Sequence, residues 1–96
     1  AIFSYDSMVH FELMDIYEYL KDMYRVLIVG GRALLHHSNY DENYMVDFAH
    51  TSHARCFMNK DVFAYLAVRV GFKIISQEII DWYDTKKLDC ITLLEK

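Results

Sequence analysis

Apolar and polar positions alternate along this chain in two rhythms. Residues 1–5 form a short apolar run that gives way to Asp6-Ser7, as a strand does on entering a loop. Leu13, Ile16, Tyr17, Leu20, Met23, Tyr24 and Leu27 then recur at helical spacing, with Asp15, Glu18, Lys21, Asp22 and Arg25 between them. That pattern predicts an amphipathic helix over 13–27. Gly30-Gly31 is expected to end it, since glycine takes the left-handed conformation of a helix C-terminus at little cost. Residues 32–37 predict a second strand. Residues 38–51 are polar and rich in Asn, Asp and Tyr, and read as a loop. Asn59 is placed to cap a second helix over 60–70, with Phe63, Leu66, Ala67 and Val70 on one face and Gly71 at its end. Residues 72–83 are β-rich, 84–87 form a polar turn, and 88–95 a last strand, so the chain closes with an antiparallel hairpin.

The order β-α-β-α-β-β argues for an α/β fold with a mixed sheet. Right-handed crossovers place the C-terminal ends of the first two strands on one edge, where open α/β sheets bind ligands. Tyr5-Asp6-Ser7 and His36-His37-Ser38 are expected there.

Composition narrows the picture. The chain has 96 residues and is 54% hydrophobic, so a single domain over 1–96 with a real core is expected. The net charge is −4 and the Lys and Arg residues are scattered, which disfavours a nucleic-acid surface. The longest apolar stretch, from Val26 to Leu35, is interrupted by Gly30, Gly31 and Arg32, so no membrane-spanning segment is expected. Asp6, Glu12, Asp15 and Glu18 near the N-terminus do not suit a signal peptide. Cys56 and Cys90 form no CxxC pair, which suits a reducing, cytoplasmic setting.

Three stretches carry a resemblance. They are Ile2-Phe3-Ser4-Tyr5-Asp6-Ser7-Met8-Val9-His10-Phe11, then Arg25-Val26-Leu27-Ile28-Val29-Gly30-Gly31-Arg32-Ala33-Leu34-Leu35, then Phe63 to Phe72 followed by the hairpin. In this order they resemble the C-terminal half of a class I S-adenosylmethionine-dependent methyltransferase, over essentially the whole chain. The resemblance implies a partial Rossmann-like fold, strands four to seven of seven in the order 4-5-7-6, with the last strand inserted antiparallel. Two departures stand out. The family usually has Lys-Pro where this chain has Ile28-Val29. The family's N-terminal glycine-rich cofactor loop and its ribose-binding acidic residue have no counterpart here.

The resemblance also implies roles. Tyr5 and Asp6 match positions lining the methionine end of S-adenosylmethionine. His10 matches a position near the transferred methyl and would act as base on an acceptor hydroxyl, with in-line displacement at the sulfonium. His37 and Ser38 would orient a small-molecule acceptor, with Tyr40 and Arg55 contributing from the following loop. The plainer reading of each is structural: a loop histidine, a turn aspartate, a solvated arginine, aromatics covering the sheet. His36, His37, His50 and His53 lack the dense spacing of a metal site, and none is expected. With the cofactor loop missing, the isolated chain is expected to be inactive and to bind the cofactor weakly or not at all. The other class of function is a non-catalytic module. It would pair through the exposed first strand, with a second copy or with a complementing N-terminal half. Half of a nicotinamide dehydrogenase is a weaker third reading.

Overall fold

The computed structural model describes residues 2–4, 12–39, 58–82 and 85–96. Strand β1 (Ile2–Ser4) is followed by helix α1 (Leu13–Val26), strand β2 (Arg32–Ser38), helix α2 (Lys60–Val70), and strands β3 (Lys73–Trp82) and β4 (Thr85–Glu95). The α/β class expected from the alternation of elements is the class observed.

Helix α1 buries Ile16, Leu20 and Met23, the face its periodicity marks out. Its end differs from the expectation. The helix stops at Val26, and Leu27 is already extended, with φ −76° and ψ 145°, so Gly30-Gly31 is not its cap. The terminal carbonyls are met from far along the chain instead. Lys96 Nζ donates to Tyr24 O at 2.6 Å and Leu27 O at 2.8 Å, and lies 4.5 Å from the centre of the Tyr24 ring. A cation at a helix C-terminus also opposes the negative end of the helix dipole.

The glycines serve the next turn. Gly31 N–H donates to Ile28 O at 2.8 Å, and Gly30 has φ 83°, the pattern of a type II turn with Val29 at its second position. Proline suits that second position. Val29 is 86% exposed, so Val29→Pro is expected to stabilise the chain by about 0.4–1 kcal/mol, acting through the unfolded state. Urea denaturation checks this, and an unchanged or lower midpoint counts against the turn assignment.

Helix α2 begins as its sequence indicates: Asn59 Oδ1 accepts from Val62 N–H at 2.8 Å. Phe63 and Ala67 are buried. Gly71 closes this helix, with φ 128° and its N–H donating to Ala67 O and Val68 O. A Cβ there would also lie 2.9 Å from the Tyr24 ring, so glycine serves both the cap and the approach of α1 to α2. Tyr24 packs edge-on against Phe72, with centroids 5.1 Å apart.

The sheet order is β1-β2-β4-β3. Strand β1 pairs parallel with β2, Ile2 opposite Ala33 and Ser4 opposite Leu35. Strand β4 pairs antiparallel with β2 on one side and β3 on the other. Ala33, Leu35 and Leu94 join Ile16, Leu20, Met23, Leu27, Phe63, Ala67 and Phe72 in one core, so both helices cover the same face. Side chains alternate across a strand, so Leu34, His36, Ser38, Asp89, Ile91 and Leu93 belong to the other face. The hairpin departs from the expected turn over 84–87. Strand β4 already begins at Thr85, and Trp82 pairs with Thr85. Asp81 holds this end together: its carboxylate accepts from Lys87 N–H at 2.9 Å and from Lys86 Nζ at 3.3 Å. Those two contacts hold its carboxyl below the usual carboxylate range. No helix among the described residues is long and apolar enough to cross a membrane.

Candidate functional site

Because β1 and β2 run parallel, the chain leaves both strands at the same edge of the sheet. Ser4 and Ser38 mark the two exits, and β4 comes alongside with Ser38 opposite Asp89. The structure therefore brings one end of three strands to the edge where the sequence places the site.

Asn39, the first residue past β2, organises that edge. Its N–H donates to Leu88 O at 2.6 Å and its Nδ2 to Lys87 O at 3.0 Å, tying β2 to β4. Its Oδ1 accepts from Lys60 N–H at 3.0 Å, tying both to the start of α2. One side chain thus joins β4 to the start of α2. Sequence reasoning missed Asn39, since its partners lie 21 and 48 positions away.

His37 points toward the helices. It is fully buried, and its ring lies flat against Phe63, with centroids 3.7 Å apart and 4° between planes. Its Nδ1 is 2.9 Å from Ser38 O and its Nε2 is 2.8 Å from Thr92 Oγ1. A carbonyl only accepts, so Nδ1 carries the proton and donates, and Nε2 accepts from the Thr92 hydroxyl. Thr92 in turn receives Gln77 Nε2–H at 3.1 Å, and Gln77 also donates to Lys60 O at 2.8 Å. Burial lowers the His37 pKa from 6.5 to about 4, against the raising effect of the Ser38 carbonyl. The ring is therefore neutral at pH 7. This corrects the acceptor-orienting role expected of His37. A buried ring with both nitrogens bonded holds the core together and presents nothing to an acceptor.

Ser38 needs the same correction. It is fully buried on the other face, and its carbonyl is taken by His37, so it too presents no surface to an acceptor. Tyr5, Asp6, His10, Tyr40 and Arg55 lie outside the described residues.

His36 turns the opposite way from His37. Its Nε2 is 2.7 Å from Asp89 Oδ2, and the two side chains are 1% and 0% exposed. The distance is that of a charge-assisted hydrogen bond. His36 lies two residues inside the strand exit, and the buried pair joins β2 to β4 directly below the edge. The signal for it was present in the sequence: Asp89 is an acidic residue within an otherwise apolar stretch of the last strand. Its partner was not legible, because register alone sets which histidine meets it.

Cys90 is buried on the helix side, 3.7 Å from Thr92 Oγ1. Burial pushes its thiol pKa up, so it stays protonated at neutral pH and does not act as a nucleophile. Cys56 lies outside the described residues. Among the described residues no group of His, Cys, Asp and Glu is arranged to hold a metal ion. An open cleft of about 480 Å³ lies between the helices, lined by Met14, Tyr17, Tyr65, Leu66 and Arg69. Met14 and Tyr65 are exposed, so the cleft faces outward from the helix layer and away from the His36–Asp89 pair.

No family model and no curated protein matches the sequence. Among solved structures, the chain is similar to the PH0226 protein from Pyrococcus horikoshii OT3. The TM-score is 0.64 at 18% sequence identity, covering 98% of this chain and 49% of that one. The chain spans about half the length of that protein. At this identity the likeness is one of fold.

Proposed function

We propose that this chain is the acceptor-side half of an S-adenosylmethionine-dependent methyltransferase fold acting on a small-molecule hydroxyl. The observation that carries the reading is the path of β4, which enters antiparallel between β2 and β3 while β1 and β2 run parallel. The same strand order follows from the resemblance of the Arg25-Val26-Leu27-Ile28-Val29-Gly30-Gly31 segment and its neighbours to class I methyltransferases. The fold likeness to PH0226 is compatible with it.

The described residues fit one wall of such a site and not the cofactor's cradle. Gly30 and Gly31 precede β2, and Gly71 precedes β3, which runs in the same direction as β2. All three glycines therefore stand at the sheet edge opposite the exits of β1 and β2. None is available to bring backbone amides close to a cofactor there. No step is routed through the cofactor on these residues. What the described part of the chain does is hold the acceptor edge rigid. Asn39 ties three elements together at its rim, and His36–Asp89 and His37–Thr92 lock β2 to β4 from either face. Tyr5, Asp6, His10, Tyr40 and Arg55 are the groups proposed to meet ligands from the two segments that leave this edge.

The test is a titration of the 96-residue chain with S-adenosylhomocysteine, followed by amide chemical shifts. Saturation in the millimolar range is expected, with shifts at the amides of Ser38 and Asn39 and within 5–11. Shifts confined to the cleft between α1 and α2 overturn the placement of the site. Micromolar affinity overturns the half-site reading.

A further inference from the structure

We propose that the sheet edge opposite the strand exits docks on an anionic lipid surface, with Ile28-Val29 inserting among the headgroups and the basic residues around them meeting the phosphates. Ile28 and Val29 lie in the turn between α1 and β2, 78% and 86% exposed, and Val26 at the end of α1 is 62% exposed. Gly31 N–H closes the turn onto Ile28 O, and Lys96 exchanges backbone hydrogen bonds with Gly30 and Gly31 at 2.9 Å. The turn is therefore held by its backbone, and none of these three aliphatic side chains belongs to the core. Clustered exposed apolar side chains on a fixed turn mark a surface that meets a partner.

Charge selects the partner. Both helices end at this edge, β2 and β3 start there, and β4 finishes there. These ends bring Arg25, Arg32, Arg69, Lys73 and Lys96 to it. Among the described residues Asp22 and Glu95 oppose them, 3.8 Å from Arg25 and 3.0 Å from Arg32. The α-carboxylate of Lys96 adds a third negative charge in the 96-residue chain. Arg69, Lys73 and Lys96 pair with no described side-chain carboxylate. Arg69 lies over the Tyr65 ring, and Lys96 over the Tyr24 ring and against the last carbonyls of α1. A chain of net charge −4 thus keeps a cationic excess around an aliphatic tip.

Size argues the same way. A stable protein interface takes about 800 Å² from each partner, more than three aliphatic side chains expose. Insertion among headgroups needs no such area, and each cation near an anionic surface adds to the attraction. Such docking is peripheral, and it requires no helix able to cross a membrane. It turns the exits of β1 and β2 away from the lipid. The methyltransferase reading uses that other edge, so the two proposals stand or fall separately.

Co-sedimentation of the full chain with vesicles tests the proposal. Binding is expected to vesicles of phosphatidylcholine and phosphatidylserine mixed about two to one, falling as salt is raised. Binding to phosphatidylcholine alone is expected to be at least about tenfold weaker. Ile28→Ser with Val29→Ser removes the tip and keeps the charge, and is expected to weaken binding to the mixed vesicles by about tenfold or more. Arg69→Gln with Lys73→Gln keeps the tip and removes two cations. It is expected to weaken binding to the mixed vesicles by about thirtyfold and to leave binding to phosphatidylcholine unchanged. All four side chains are exposed, so the fold is expected to persist, which circular dichroism checks. A chain that does not bind the mixed vesicles overturns the proposal. So does binding indifferent to either pair of substitutions, or equal binding to the two kinds of vesicle. A dimer lost with Ile28→Ser and Val29→Ser, in place of vesicle binding, overturns it in favour of a protein partner.

Discussion

Asp89→Ala is expected to destabilise the chain by about 3–5 kcal/mol, the largest loss of any single polar substitution here. His36 and Asp89 are 1% and 0% exposed and 2.7 Å apart, so water cannot replace the lost partner. Removing one member leaves the other buried without this hydrogen bond. Removing both is different. His36→Leu combined with Asp89→Leu takes away the desolvation cost along with the attraction, and a large part of the stability is expected to return. Asp89→Asn, which keeps a hydrogen-bonding oxygen and loses the charge, should fall between. Urea denaturation of the original chain, His36→Leu, Asp89→Leu and the double substitution closes a double-mutant cycle. If the double substitution costs as much as the two single ones added together, the pair is not coupled and the assignment fails.

Acid is expected to weaken the fold by about 3 kcal/mol between pH 6.5 and pH 4 through His37 alone. The sign follows from the direction of the shift. In the unfolded chain the imidazole takes up a proton near pH 6.5, and in the folded chain only near pH 4. Above pH 6.5 neither state binds it, and the contribution to stability does not change with pH. As pH falls through the window the unfolded state gains a proton that the folded state refuses, and the balance moves toward unfolding. Below pH 4 this contribution is again constant. The physical cause is desolvation against Phe63, with Nε2 committed to accepting from Thr92. His37→Gln is expected to lower stability at pH 7 and to flatten this part of the pH curve. Parallel curves for the two proteins, measured by chemical denaturation from pH 7 to pH 4, would place the acid sensitivity elsewhere.

Both effects depend on contacts that no local pattern announces. The histidine pair was legible as two residues on opposite faces of a strand, because side chains alternate there. What each face holds was not legible. His36 meets a residue 53 positions away and His37 one 55 positions away, brought in by the register of β4 against β2. The expectation that His37 and Ser38 face an acceptor failed for that reason. A strand end can open on a ligand or be covered, and covering depends on neighbours distant in sequence. The end of α1 repeats the lesson. Gly30-Gly31 looked like its stop, yet Lys96, 72 positions from Tyr24, caps the helix, and the glycines shape the turn beyond it.

Local physics was enough wherever a structure is built from contiguous residues. The face of α1, the Asn59 cap and the Gly71 stop of α2, the α/β alternation and the closing hairpin all follow from side-chain periodicity, backbone freedom and short-range hydrogen bonds. These act over a few residues, and a sequence displays them directly. Tertiary structure alone decided which polar groups are spent on cohesion. The order β1-β2-β4-β3 puts a strand from the end of the chain beside one from its first half. Asp89, Thr92 and Lys96 thereby become partners of His36, His37 and α1. Register selects those pairings among many that the sequence permits, and burial then turns each into a strong constraint on the edge where the strands end.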